Sequence, residues 1–544
     1  MKVVIVGGVA GGMSAATRLR RLNIAAEIIV LEKSGHVSYA NCGLPYYVGG
    51  VIEEEESLFL QTPESLHARF RLDVRVLTEA VEVDAANKIV KVRHLLSGEV
   101  SEITYDKLIL SPGASPVVPP LPGVERALTL RTVEDVERIV AQVEQRPRHA
   151  VVIGGGFIGV EIAENLVHKG ISTAVVEAMP QVLAPLDPEM ATFVADELVR
   201  HGVQVFLGDS VASITADSVR LASGEVLPSD LVILAIGVRP DVVLAKSAGL
   251  KIGERGGVEV NEYNVTSDAN IYAVGDAAEK RDSLDGSATL VPLANIANRH
   301  GRVVADHISG RAVRSVPTIG TAIVKVFDLM IAATGWNEKR LVAQKRAFQA
   351  IHTHPASHAG YYPGAKPMSL KLLLDPISGE ILGAQGIGTE GVDKRIDVIA
   401  TAMRGGLTGP QLADLELAYA PPFGSAKDPV NMLGYIAENL LSHLVGTVQW
   451  SEVEAYRRRG YSMVDVRSVQ EFSRGTLPGS INIPVDELRE RFQEIPTNDV
   501  LVNCQVGQRG HTAALLLKEM GFNALNLDGG YQTWSHSPAS VASK

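Results

Sequence analysis

The sequence predicts an α/β protein in which parallel sheets are covered by helices. Two observations lead there. One layout occurs twice in the first third of the chain: a short apolar strand, a glycine-rich turn, an amphipathic helix, and a second strand ending in Glu. Beyond about residue 448 another strand–loop–helix pattern begins, carried by residues 500–521. Such units close into parallel sheets because the crossover helix returns the chain to the same end of the sheet.

The elements follow in order. Residues 3–6 (Val-Val-Ile-Val) form the first strand, Gly7 to Gly12 the turn, a helix runs to about Arg21, and residues 28–32 close on Glu32. The second copy takes residues 150–153, Gly154 to Gly159, a helix through Lys169, and residues 172–177 closing on Glu177. Proline and glycine punctuate residues 111–123, which read as the crossing between the two units. The first unit resumes near residues 230–240, because a further nucleotide-type element appears at residues 271–276. From about Gly320 to Gly446 the pattern changes to alternating strands with two late helices, an α+β segment. The expected boundaries are residues 1–115 with 241–320, residues 116–240, residues 321–446 and residues 447–544.

Composition limits what the chain can do. A hydrophobic fraction of 46% with 21% charged residues fits an ordinary soluble enzyme. The net charge of −11 leaves no basic surplus for phosphate neutralisation, which argues against a nucleic-acid partner. The local cluster Arg18-Leu19-Arg20-Arg21 could still hold a small phosphorylated ligand, although its plain reading is a solvated helix face. The first sixteen residues superficially resemble a secretion signal, but four glycines interrupt the run and an acid-ended strand follows. No apolar run reaches bilayer length, so no membrane association and a cytoplasmic location are expected. Only two cysteines occur, Cys42 and Cys504. They build neither a disulfide framework nor a multi-cysteine metal site, so no metal is expected and each needs its own explanation.

The second glycine turn, Gly154-Gly155-Gly156-Phe157-Ile158-Gly159, fits G-x-G-x-x-G in full, between a strand and a helix. Gly154 allows the tight turn, Gly156 lets the backbone approach a pyrophosphate, and Gly159 permits close helix–strand packing. Glu177 is placed to accept hydrogen bonds from an adenosine ribose, and Glu161 on the intervening helix joins the candidate cofactor contacts. A carboxylate there repels a 2′-phosphate, and no Arg follows in Ala178-Met179-Pro180-Gln181, so NADH is expected over NADPH. The first turn departs from the pattern, with Val9 where the middle glycine belongs; Gly7, Gly11, Gly12 and Glu32 carry the cofactor reading. Residues 266–276 deliver Gly275-Asp276 from a strand, which suits hydrogen bonding to the ribityl chain of a flavin. The plain alternative for Asp276 is a helix N-cap.

Together these residues resemble the pyridine nucleotide–disulfide oxidoreductase family, over roughly residues 1–446 and including Asp230 to Pro240. The resemblance implies two Rossmann-like nucleotide-binding domains, one for FAD and one for NADH, followed by an α+β dimerisation domain and hence a homodimer. The family's dithiol members carry two cysteines five residues apart. Here Ser38-Tyr39-Ala40-Asn41-Cys42-Gly43-Leu44-Pro45 offers one, with Val37 and Tyr47 where a partner would fall. Cys42 must therefore pair with an external sulfur or be oxidised alone. A thiolate near a flavin and a helix start is expected to have a depressed pKa. Among single-cysteine branches, the oxidases and peroxidases place a His in the first glycine turn, where this chain has Val9-Ala10. The first turn, residues 38–45, residues 360–365 and residues 419–429 look instead like the coenzyme A-disulfide reductase branch. That resemblance implies that Tyr361 and Tyr419 reach the active site from the other subunit, to donate a proton or hydrogen bond. It also makes Arg18 and Arg21 candidates for coenzyme A phosphates, with Ser38 and Asn41 lining the thiol end.

The last unit resembles a rhodanese domain, through residues 464–467, Glu471-Phe472, residues 475–484, and the loop Cys504-Gln505-Val506-Gly507-Gln508-Arg509 before a helix at residues 511–520. Thr476 stands where a His is usual, a change expected to be structurally tolerable. A loop curled around Cys504 aims successive N–H groups at the sulfur, and Arg509 adds positive potential. The expected activity is an FAD-dependent, NADH-driven reduction of a small-molecule persulfide, polysulfide or coenzyme A disulfide, Cys42 attacking the S–S bond and Cys504 relaying sulfane sulfur. The alternatives are an NADH oxidase or peroxidase acting through a Cys42 sulfenic acid, and a sulfur carrier or redox sensor that binds flavin.

Overall fold

The computed structural model describes residues 1–542, with side chains through residue 540. The last two residues expected in the C-terminal unit lie outside the described residues. The chain divides into two compact units, residues 1–180 with 202–318, and residues 181–201 with 319 onward.

The first unit holds two five-stranded parallel sheets. One has the spatial order Ile271–Ala273, Lys107–Leu110, Lys2–Val6, Glu27–Leu31, Asp73–Arg75. Its central strands are β-branched and covered on both faces, so they read as continuous apolar runs rather than alternating ones. Val4, Val6, Ile29, Leu31, Leu108 and Leu110 face one core, and Val3, Ile5, Ile28, Val30 and Ile109 the other. Burying each such side chain stabilises the fold by roughly 1.5–3 kcal/mol. The second sheet runs Gln204–Leu207, Ser172–Glu177, His149–Ile153, Leu231–Leu234, Leu128–Thr129. Two antiparallel strands, Ala114–Pro116 and Val238–Pro240, pair where the chain leaves the first sheet and where it returns.

Both glycine turns open onto helices, Ala10–Leu22 and Phe157–His168. Gly7 (φ +99°) and Gly154 (φ +109°) hold the left-handed backbone each turn requires. A Cβ on Gly12 or on Gly159 would collide with the carbonyl oxygen of Gly7 or Gly154, so helix and turn pack at backbone contact. The departure at Val9 is accommodated because Val9, the helix cap, holds a negative φ (−109°) and needs none of the left-handed freedom of glycine.

The second unit holds an antiparallel five-stranded sheet in the order Ala322–Val326, Leu329–Gly335, Ile381–Gly388, Met368–Leu374, Gln349–Thr353. The helices Val392–Gly405 and Pro429–Leu441 cover it through Val392, Ile396, Ile399, Val430 and Leu433. The last sheet is parallel, Gly446–Val448, Asn523–Leu527, Asp499–Asn503, Ser462–Asp465, Ile481–Asn482, with a core on each face. The helix Pro188–Arg200 lies in sequence between two strands of the second nucleotide-type sheet but belongs to this second unit. Its buried Glu189, together with Asp187 just before it, pairs with Lys371 of the antiparallel sheet. No helix among the described residues is long and apolar enough to cross a membrane.

Candidate active site

The two acid-ended strands are built alike. Glu32 accepts from the N–H groups of Gly8 (2.7 Å) and Ser34 (2.9 Å), and Glu177 from those of Gly155 (2.7 Å) and Met179 (2.8 Å). Each carboxylate is thus fixed at the mouth of its glycine turn by two backbone donors. Burial pushes the Glu32 carboxyl up against these same bonds. A Cβ on Gly156 would meet nothing within 4 Å, so open space lies before that turn, as a pyrophosphate needs. Donors and acceptors in both cradles therefore fit dinucleotides.

Asp276 lies in a short 3₁₀ turn, Gly275–Ala277, rather than at the start of a long helix. Its carboxylate is held by Arg131 (2.8 Å). The neighbouring Lys280 is buried, its Nζ donating to the carbonyls of Gly275 (2.6 Å) and Ala278 (2.9 Å), and burial pulls its pKa down to about 8.

Cys42 lies in the 3₁₀ turn Asn41–Gly43, directly before the short helix Leu44–Gly49. Ser38 (φ +50°) tethers this segment to the first glycine turn by donating its N–H to the Gly8 carbonyl (2.8 Å). With its amide turned to satisfy both groups, Asn41 donates to the Arg131 carbonyl (2.8 Å) and accepts from Arg131 Nη1 (3.3 Å). Cys42 is exposed. The protein packed around it nevertheless pushes the thiol pKa up, Glu161 and Asp276 add to the rise, and Arg131 opposes them. The expected depressed thiol is therefore not produced by the chain's own atoms, because withdrawal from water raises it first and two carboxylates then face one guanidinium. Burial also pushes the Glu161 carboxyl up to about 7, against the Tyr46 hydroxyl that donates to it at 3.2 Å.

Arg131, Tyr46 and Lys280 are site residues that sequence reasoning misses. Tyr46 lies within reach of a motif reading, four residues after Cys42. Arg131 carries no local signal. Among the proposed coenzyme A contacts, Arg18 is paired with Asp306 (2.7 Å), and Arg21 lies over the Phe70 ring (5.2 Å). Arg20 folds back on the carbonyls of Phe70, Ile24 and Ala26 and so ties the loop after its own helix to the last residue of the helix Pro63–Phe70.

In the second unit the exposed Tyr361 and Tyr419 meet through their hydroxyls at 2.9 Å, and Tyr362 and Phe423 from the same two segments are exposed as well. The buried Arg395 ties their two segments together, bonding the Ser357 carbonyl (2.9 Å) and the Asp428 carboxylate (2.9 Å).

Cys504 directly follows the strand Asp499–Asn503, and the helix Gln508–Glu519 starts four residues later. Its side chain is fully buried, unlike that of Cys42. Gly507 turns the loop in the left-handed region (φ +90°). Arg509 is engaged by Glu471 (2.6 and 2.9 Å), which holds that carboxyl down at about 2 and offsets part of the expected positive potential. Arg467, buried on Asp465 and lying over the Tyr531 ring at 4.3 Å, bonds the Gln505 side chain of the loop (3.0 Å). Thr476 donates its hydroxyl to Asp465 (2.7 Å), which accounts for its tolerance at that position.

Comparison with known proteins places these features. The family description "Pyridine nucleotide-disulphide oxidoreductase" matches residues 1–301, its dimerisation domain residues 321–429, and a rhodanese-like domain residues 450–537. A coenzyme A disulfide reductase of Staphylococcus aureus (strain JH9) is 34% identical over 441 residues, 80% of this chain and 100% of that protein. The crystal structure of reduced Bacillus anthracis CoADR-RHD matches with a TM-score of 0.97 at 48% identity, covering 98% of each chain. An NAD-dependent persulfide reductase from A. fulgidus matches with a TM-score of 0.93 at 38% identity, covering 98% of this chain and 100% of that one. With its paired glycine cradles, its unpartnered Cys42 and its C-terminal rhodanese-like domain, the chain belongs to the pyridine nucleotide-disulphide oxidoreductase family.

Proposed function

We propose that the chain is an FAD-dependent, NADH-driven reductase of sulfur–sulfur bonds in a small-molecule persulfide, polysulfide or coenzyme A disulfide. The observation that carries this reading is Cys42, an exposed thiol beside Arg131 and Glu161 with no second cysteine in its unit. Bound FAD supplies a two-electron path from NADH to this sulfur. With a persulfide, the Cys42 thiolate attacks the outer sulfur, the S–S bond breaks, and the donor leaves as a thiolate. One electron pair then cleaves the new Cys42 S–S bond, returning the thiolate and releasing hydrosulfide. Glu161, near neutral in its proton affinity, is placed to take or give a proton beside the sulfur. Cys504 accepts sulfane sulfur from a donor and passes it toward Cys42; the rhodanese-like domain favours persulfide or polysulfide, since sulfur transfer adds nothing to plain disulfide reduction. Arg18, Arg21, Ser38 and Asn41 serve a coenzyme A moiety. A homodimer is supported by the dimerisation-domain match and by the exposed aromatic face around Tyr361 and Tyr419, which a second copy would cover.

The test is an anaerobic acceptor panel with NADH, comparing the wild type with Cys42→Ser and Cys504→Ser. Hydrosulfide release lost in the first variant and reduced in the second supports the reading. Oxygen or peroxide as the sole productive acceptor identifies an oxidase or peroxidase instead. Slow turnover on every acceptor with stable sulfur loading of Cys504 identifies a carrier or sensor.

A further inference from the structure

His352 is buried in the antiparallel sheet, and both of its ring nitrogens face carboxylates. Nδ1 lies 2.6 Å from Asp528 Oδ2 and Nε2 lies 3.0 Å from Glu189 Oε1, while the His352 backbone N–H also donates to Asp528 (3.0 Å). Glu189 is an acceptor only, because the buried Lys371 ammonium contacts the same oxygen (2.5 Å) along with Asp187 (2.9 Å) and Glu338 (2.7 Å). A carboxylate oxygen faces each ring nitrogen, and serving both takes two N–H donors, so the geometry fits an imidazolium. Lys371 is the other cation facing it.

Asp528 opens the turn beneath the Cys504 loop. Gly529 and Gly530 follow in the left-handed region (φ +65° and +62°), and a Cβ on Gly530 would collide with the Cys504 carbonyl. Tyr531 donates its N–H to the Cys504 carbonyl (2.7 Å), and Gln532 donates to that of Gln505 (2.9 Å). The floor of the cysteine loop is therefore anchored at one end by a side chain of the neighbouring sheet.

We propose that His352 is a positioning residue for Cys504: clamped between Asp528 and Glu189, it fixes the 528–532 turn and so holds the cysteine loop closed around its sulfur. The proposal rests on the reading of Cys504 as a sulfur-bearing thiol. In the half-reactions used to probe it, the Cys504 thiolate takes the outer sulfur of thiosulfate and releases sulfite, and cyanide then removes that sulfur as thiocyanate and restores the thiolate.

The experiment uses the full-length FAD-bound protein carrying Cys42→Ser, so that Cys504 is its sole thiol. His352→Gln is compared with Phe193→Leu, which disturbs the stacking of Phe193 on His536 (4.0 Å) without touching Asp528. The expected result for His352→Gln is at least a tenfold faster alkylation of Cys504 and at least a tenfold lower kcat for thiosulfate-to-cyanide transfer. KM stays within twofold, and Phe193→Leu behaves like its parent. In histidine-¹⁵N-labelled wild type at pH 8, the resonance lost in His352→Gln should report both ring nitrogens protonated, and Asp528→Asn supplies the assignment independently if His352→Gln does not fold. Unchanged alkylation and kcat, equal effects of Phe193→Leu, or a neutral ring at pH 8 would each overturn the proposal. A wild type that transfers no sulfur defeats the functional reading of Cys504, while the alkylation comparison still decides the positioning role.

Discussion

Replacing Glu161 by Gln separates the energetics of the Cys42 site from its chemistry. Burial lifts this carboxyl from its ordinary 4.5 to about 7, because the loss of hydration outweighs the single Tyr46 hydrogen bond. A folded-state pKa above the unfolded one means that folding favours the protonated carboxyl. Its stabilising share is complete below pH 4.5 and is lost as the pH rises through 7. At about 1.4 kcal/mol per tenfold change in proton affinity, holding the ionised form costs the fold about 3 kcal/mol at pH 8. Solvent contact at this partly buried site screens that figure toward about 2 kcal/mol. The amide of the Glu161→Gln variant cannot ionise. Urea unfolding of the flavin-free protein should give equal midpoints for wild type and Glu161→Gln at pH 5, and a higher midpoint for the variant at pH 8 with an unchanged m-value. Alkylation of Cys42 in a Cys504→Ser background should shift to lower pH in the variant, since one of the groups raising the thiol is gone. A variant that is destabilised at pH 8, or shifted equally at both pH values, would show that burial does not govern this carboxyl.

Cys42→Ser should leave NADH able to bleach the bound flavin in stopped flow while turnover with every sulfur acceptor falls at least a thousandfold, as expected when a sole nucleophile is removed. Glu177→Gln removes a charge fixed by the Gly155 and Met179 N–H groups, so kcat/KM for NADH should fall about 10- to 100-fold, with NADPH affected less, because charged hydrogen bonds contribute about 1.5–3 kcal/mol. Arg395→Met leaves the buried Asp428 without its strong partner and should destabilise the second unit by about 3–5 kcal/mol, read as a lower thermal midpoint. His352 is raised from 6.5 to about 9, so its contribution to stability is complete below pH 6.5 and is lost as the pH rises through 9; the gap between wild type and His352→Gln in urea should close over that window.

The repeated strand–turn–helix units, the acids that end them, and both cysteine-bearing loops are legible in the amino-acid string. These signals are local: apolar runs, glycine spacing and turn residues act over a few neighbours. The departures at Thr476 and Val9 are legible only as departures; the Asp465 bond and the negative φ of the cap explain why each is tolerated.

The polar partners are set by the three-dimensional fold alone. Arg131 reaches Asp276 across 145 residues, Tyr46 reaches Glu161 across 115, and His352 reaches Asp528 across 176. Lys371 lies in a strand buried along its whole length, where a charged residue between leucines reads as a solvent-facing position. The direction of the Cys42 pKa escapes the sequence for the same reason: a motif shows a thiol beside a helix start, and only the fold shows how far packing withdraws it from water and which charges surround it. Hydrophobic periodicity records which residues leave water, but a buried charge is tolerated by partners that no periodicity encodes.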